Sequence, residues 1–220
     1  MARRPSVKAP LIDELRLPDL EDAPPQILRE RDHVEGVRLR DADTAGIDRA
    51  GLSITECEIS GWNASETDLR GACLMESAIE NLNAPVLIAP RSSWKDIRID
   101  ASRVGSGELY EAELTDVIIS GSKLGWVNLR GATLRDVIFR SCTFEELDLA
   151  GANMTRVAFE DCSAANLDIT RSTSRDVDLR GVQFAVLSGI DSLTGTVLSA
   201  SQAIGIAEQL AVHHGARVDG

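Results

Sequence analysis

Beginning at Leu39, every fifth residue up to Phe184 is apolar at thirty successive positions, the exceptions being Thr44, Arg49 and Ser174. The residues two places earlier, Val37 to Val182, form a second series of thirty, none of them charged although 26% of the chain is. Helix faces recur every 3.6 residues and strand faces every 2.0, so neither element alone yields a period of five. A solenoid of short strands joined by bends does. Sampling every twentieth residue gives the most uniform column: Leu39, Ile59, Ile79, Ile99, Ile119, Phe139, Phe159 and Leu179. Four pentads therefore close one coil. Thirty pentads make about seven and a half coils, each rising ~4.8 Å, the spacing between neighbouring strands.

The middle residue of each pentad and the residue two before it point inward, and the other three face solvent. A narrow interior fixes the summed volume of each inward pair. Trp62 accordingly pairs with Ala64, Leu82 with Ala84, and Ser92 with Trp94. Trp62 and Trp94 are thus core fillers, whereas Trp126 occupies an outward slot. Cys57, Cys142 and Cys162 take inward slots that suit a small hydrophobe, and Cys73 faces out. Cys142 and Cys162, twenty residues apart, stack on adjacent coils.

Four stretches match the pattern A-[D/N]-L-x-x well: Asp68-Leu69-Arg70-Gly71-Ala72, Asn128-Leu129-Arg130-Gly131-Ala132, Asp148-Leu149-Ala150-Gly151-Ala152 and Asp178-Leu179-Arg180-Gly181-Val182. In these residues the chain resembles the pentapeptide-repeat family, without a break in register from Val37 to Phe184. The resemblance implies an all-β solenoid, a right-handed quadrilateral parallel β-helix of pentapeptide repeats with a C-terminal helical cap. The expected organisation is an N-terminal cap segment at 1–36, the β-helix at 37–189, and a final turn with C-terminal helix at 190–220. Bare coil ends expose apolar side chains and strand edges. Residues 1–36, with Leu11, Ile12, Leu15, Leu17, Leu20, Ile27 and Leu28, read as an irregular cover with a short helix after Pro24-Pro25. At the far end Ser199-Ala200-Ser201 offers helix N-caps. Ile204, Ala207, Leu210 and Ala211 share one helix face, as a lid on the last coil or as a dimer contact. The resemblance admits a homodimer through this segment, since some members of the family dimerise there, and both roles stay open.

Enzyme chemistry finds no support. The nucleophile-elbow, zinc-protease and phosphate-loop signatures are missing from the sequence. Ser92 and Lys95 match S-x-x-K, but one points into the coil and the other out, beyond mutual hydrogen-bond reach. His213 and His214 fall near a helix C-terminus, where a cation favours the dipole. The expectation is a non-enzyme without cofactor or metal. The net charge of −12 repels phosphate and argues against direct nucleic-acid binding. No apolar run of about 18 residues spans a membrane. The opening residues lack the apolar core of a signal peptide, and the four cysteines form no C-x-x-C pair. A cytoplasmic protein with reduced thiols is expected.

Outward residues twenty apart form columns along the axis. Glu56, Glu76, Asp96, Asp116 and Asp136 make an acidic column, continued by Arg156 and Asp176. Asp48, Asp68, Ile88, Glu108, Asn128, Asp148 and Asp168 make another, largely at the position of the family's Asp/Asn. Residues 41–116 carry a net charge of −9 and residues 117–189 a net charge of −1. Ile118, Ile138 and Ala158 form an apolar stripe in outward slots, a candidate contact surface. The function expected is a protein–protein interaction scaffold with an unidentified protein partner. The alternative, implied by the resemblance, is an acidic DNA mimic that binds DNA gyrase or topoisomerase and protects it from quinolone-type inhibitors. The chain departs from the looped resistance members, since its register leaves no inserted loop, and only half of it is strongly acidic.

Overall fold

The computed structural model describes residues 7–218. From His33 to Ser188 the strands pair in parallel at a constant offset of 20, beginning with His33↔Ser53 and ending with Asp168↔Ser188. The offset shortens to 19 at Val177↔Thr196 and to 16 at Glu21↔Val37. The result is one all-parallel β-solenoid of about eight stacked coils, joined in a single sheet. Its interior is the two inward series, packed as one continuous column.

Several polar residues at inward positions are matched to polar partners, whereas the buried hydroxyls of Ser172 and Ser174 find none among the described residues. Ser77, Ser102 and Ser122 each accept the N–H of a residue in the coil before (Cys57, Leu82 and Ser102, each at 3.0 Å) and donate to a carbonyl two residues back. Buried hydroxyls satisfied this way avoid the desolvation cost of an orphaned polar group. The indoles are treated alike: Trp62 Nε1 donates to Thr44 Oγ1 at 2.9 Å and Trp94 Nε1 to Ser92 Oγ at 2.8 Å. Arg49, the charged exception among the inward positions, reaches past the first coil. It donates to the Arg29 and Arg31 carbonyls and pairs with Asp32. Those carbonyls end helix α1 (Ile27–Glu30), so Arg49 ties the end cover to the coil.

Helix α1 follows Pro24-Pro25 and buries Ile27 and Leu28 against the base of the solenoid. Residues 7–22 lie elsewhere, along the flank. At the top the expected single helix is two. Helix α2 (Ala200–Gly205) starts on a Ser199/Gln202 capping box, and α3 (Ala207–His213) follows a break at Gly205-Ile206. The break rotates the faces. Ile206 becomes the buried anchor, Leu210 and Ala211 are half-buried, and Ile204 (76% exposed) and Ala207 face solvent. The Gln202 side chain donates to the Leu179 and Val182 carbonyls, both at 2.7 Å, which closes the last coil with side-chain hydrogen bonds.

Candidate functional site

Corners of the coils fall one residue before each inward pair, and most adopt the left-handed conformation. Glu56, Glu76, Asp96, Asp116, Asp136, Arg156 and Asp176 all do so, with φ between 46° and 57°. That backbone turns their side chains outward into one line, as the sequence reading requires. The line is partly roofed. The Lys8 N–H donates to Asp176 Oδ1 (3.1 Å), that of Leu11 to Asp136 Oδ1 (2.8 Å), and that of Asp13 to Asp116 Oδ2 (3.3 Å). The N-terminal segment therefore runs down the flank, extended, crossing three coils between Lys8 and Asp13. It joins the base where Glu21 and Asp22 pair with Val37 and Arg38.

Arginines complete the acidic column. Arg156 grips Asp136 in a bidentate pair, Nε to Oδ1 and Nη2 to Oδ2, each 2.5 Å. Arg98 bridges Asp96 (3.1 Å) and Asp116 (3.3 Å) and donates to the Asp13 carbonyl. Asp136 is only 6% exposed. Burial pushes its carboxyl up, but the Arg156 pair, the Leu11 amide and Arg135 together outweigh this and hold it below the ordinary range. Asp116 goes the other way: burial, with the like charges of Asp96 and Asp13, raises it despite Arg98 and the Asp13 amide. Glu56 is half-buried and Glu76 exposed, and neither makes an ion pair among the described residues.

The apolar stripe is a correction. Ile138 and Ala158 are each 8% exposed and Ile118 is half-buried, although all three occupy outward slots. Ile118 and Ile138 lie two residues after Asp116 and Asp136, the carboxylates that accept the Asp13 and Leu11 amides, which sets the stripe beside the N-terminal segment. The second acidic column is spent on local turns. Asp48, Asp68, Asn128, Asp148 and Asp168 each accept the N–H two residues on, at 2.7–3.1 Å.

A different face carries the most exposed large aromatic. From Val86 onward one corner in four leaves the left-handed conformation, at Val86, Ser106, Trp126, Glu146 and Asn166. Trp126, on that corner, is 56% exposed. It shares a shallow groove with Arg103 and Lys123, which are paired neighbours on adjacent coils. The floor is bare main chain, because a Cβ on Gly125 would strike the Gly105 carbonyl and a Cβ on Gly105 the Pro85 carbonyl.

Residues 104–169 match the family described as pentapeptide repeat region. Over that stretch the chain is similar to the pentapeptide-repeat family. No curated protein matches it. Among solved structures it is similar to trypsin-treated QnrB1, a plasmid-mediated fluoroquinolone resistance protein, at 21% identity over 84% of this chain and 90% of that one, TM-score 0.34. It is also similar to HetL, involved in heterocyst differentiation regulation in the cyanobacterium Nostoc sp. strain PCC 7120, at 14% identity over 74% and 90%, TM-score 0.21. The coil register of this chain rests on its own strand pairing.

Three contributors escaped the sequence reading: the main-chain amides of Lys8, Leu11 and Asp13, the bridging Arg98, and the bases beside Trp126. Only the last left a legible sign, since Arg103 and Lys123 are twenty residues apart and Trp126 follows three later.

Proposed function

We propose that this protein is a non-enzymatic scaffold that docks a protein partner on the face of Trp126, Arg103 and Lys123. The observation that carries the reading is Trp126, 56% exposed on a strand ladder too rigid to fold the ring away. Tryptophan and arginine dominate the energetics of protein interfaces, most of all when flanked by a flat surface that excludes water. Two stacked bases suit an acidic partner surface. The filled interior supports a scaffold over a small-molecule enzyme. Its apolar void is about 40 Å3, far below the several hundred that a ligand pocket needs. Affinity capture with the parent, Trp126→Ala and Arg103→Glu/Lys123→Glu tests the proposal. A partner retained by the parent and lost by both variants supports it, and a partner retained equally by all three overturns it.

The gyrase-directed reading stands second. The acidic column is largely spent on Arg98, Arg156 and the N-terminal segment. That segment, however, brings five exposed acids of its own to the flank, Asp13, Glu14, Asp19, Glu21 and Asp22. Gyrase supercoiling and quinolone-protection assays decide it. Activity that falls when Glu56, Glu76, Asp19 and Glu21 become amides supports the mimic, and no effect of the parent on gyrase removes it.

A further inference from the structure

Arg103 and Lys123 are bases without a counter-ion. Elsewhere on the solenoid Arg98, Arg130, Arg140, Arg156 and Arg180 each hold a carboxylate. Arg103 and Lys123 are exposed, and among the described residues neither forms an ion pair. They are register partners on adjacent coils, so their main chains stand one rung, ~4.8 Å, apart. Two like charges at that spacing repel, and one counter-ion placed between them relieves the repulsion. A singly charged carboxylate leaves half of the pair uncompensated, whereas a dianion satisfies both. The net charge of −12 also repels a partner surface rich in acids, which favours charge concentrated in a single group.

The groove in front of the pair has room for a side chain rather than for a folded element, with a volume of about 300 Å3. Main chain at Gly105 and Gly125 forms its floor, with Trp126 on one side and the two bases on the other. Lys123 and Trp126 are three residues apart on one strand, ~10 Å, which leaves space for one flat ring beside one anionic group. Glu145 lines the end one coil above Gly125 and repels an anion from there toward Arg103 and Lys123. A phosphorylated tyrosine has the matching parts in the matching order. Its ring meets the indole of Trp126, and beyond the ring a phosphate of nearly two charges meets the bases. Phosphoserine reaches the bases but leaves Trp126 bare. We propose that the Trp126 groove receives a phosphotyrosine side chain of the partner protein. This inference rests on the docking face proposed above and specifies its occupant.

The test is isothermal titration calorimetry of the full-length protein with N-acetyl-phosphotyrosine amide as the probe. The expected dissociation constant is below about 1 mM, at least about tenfold tighter than for the phosphoserine counterpart, the unphosphorylated tyrosine counterpart or adenosine monophosphate. Trp126→Ala and the double change Arg103→Gln/Lys123→Gln are each expected to weaken the probe by at least about tenfold while leaving the thermal melt in place, since all three side chains are exposed. The proposal is overturned by no binding up to about 10 mM, by equal affinity for the phosphoserine counterpart, by equal or tighter binding of adenosine monophosphate, or by either variant binding as the parent does. Capture from a lysate treated with a tyrosine phosphatase separates the two readings. A partner retained after that treatment but lost with Trp126→Ala overturns this inference and leaves the docking face standing, whereas a partner retained by Trp126→Ala overturns the docking face itself.

Discussion

Phe139→Ala is the sharpest test of the packed coil. The ring is 1% exposed, stacked on Phe159 with centroids 5.1 Å apart and planes 13° apart, and met edge-on by Phe144 at 5.7 Å. Truncating a buried phenylalanine costs about 3–5 kcal/mol, depending on how far the site collapses. Collapse is difficult here. Val137 to Arg140 are paired on both sides, with the coil below and the coil above, so the main chain cannot move inward without breaking two ladders. The new void also joins the existing one of about 40 Å3, which Phe139 helps to line. The expected cost is therefore at the upper end, about 4–5 kcal/mol. With a denaturant slope of about 2–3 kcal/mol per molar urea, the midpoint followed by circular dichroism falls by roughly 1.5–2 M. Phe159→Ala added to it costs less than its single-variant value, since the stacked pair is already broken. A loss below about 1.5 kcal/mol for Phe139→Ala would refute the rigid, filled interior.

Other outcomes follow from the same geometry. Gly107 occupies an inward slot beside the void, and a Cβ there meets the ends of three aliphatic side chains, Leu109 Cδ1 at 3.2 Å, Val104 Cγ1 at 3.4 Å and Val127 Cγ2 at 3.9 Å, the first of which has to yield slightly. Gly107→Ala should therefore raise stability by about 0.5–1 kcal/mol, read by thermal melting. Asp136 is held below its unfolded range, so its contribution is present at neutral pH and lost as pH falls through the folded value. Asp136→Asn should cost about 1–3 kcal/mol at pH 7, and parent and variant melts should converge as pH falls below the ordinary carboxylate range. Asp116 is raised, so its contribution has the opposite sign, favouring the fold at low pH and fading as pH rises through the folded value. Asp116→Asn should then be neutral or stabilising at pH 7 in the same melts. Burial raises the Cys57 thiol, and the Cys162 neighbour together with burial raises that of Cys142. Ellman's reagent should react promptly with Cys73 alone in the native protein and with four thiols after unfolding.

The coil was legible because its signal is periodic. An inward position repeats every five residues and a neighbour in the stack every twenty, so Trp62 and Trp94 fall inside and Trp126 outside without any knowledge of the fold. Three of the serines at inward positions, Ser77, Ser102 and Ser122, which look like weak points in the pattern, are hydroxyls that bridge adjacent coils. The N-terminal segment was not legible, because its fastening uses main-chain amides that every sequence possesses. Its indirect trace was the apolar stripe of Ile118, Ile138 and Ala158 next to a row of like charges. The C-terminal break was hidden for a related reason. Ile204, Ala207, Leu210 and Ala211 do obey a helical period, but Gly205 interrupts the helix and Ile206, off that face, takes the buried position.

Residues 8–13 lie along the acidic column, held there by their main-chain amides. Amide hydrogen exchange, resolved residue by residue by nitrogen-15 NMR, measures it directly. The account predicts slowed exchange at Lys8, Leu11 and Asp13, whose N–H groups reach Asp176, Asp136 and Asp116, and faster exchange at Ile12 and Glu14 between and beside them. In Asp136→Asn the protection at Leu11 should fall most. Uniform, random-coil exchange from Lys8 to Glu14 would contradict it.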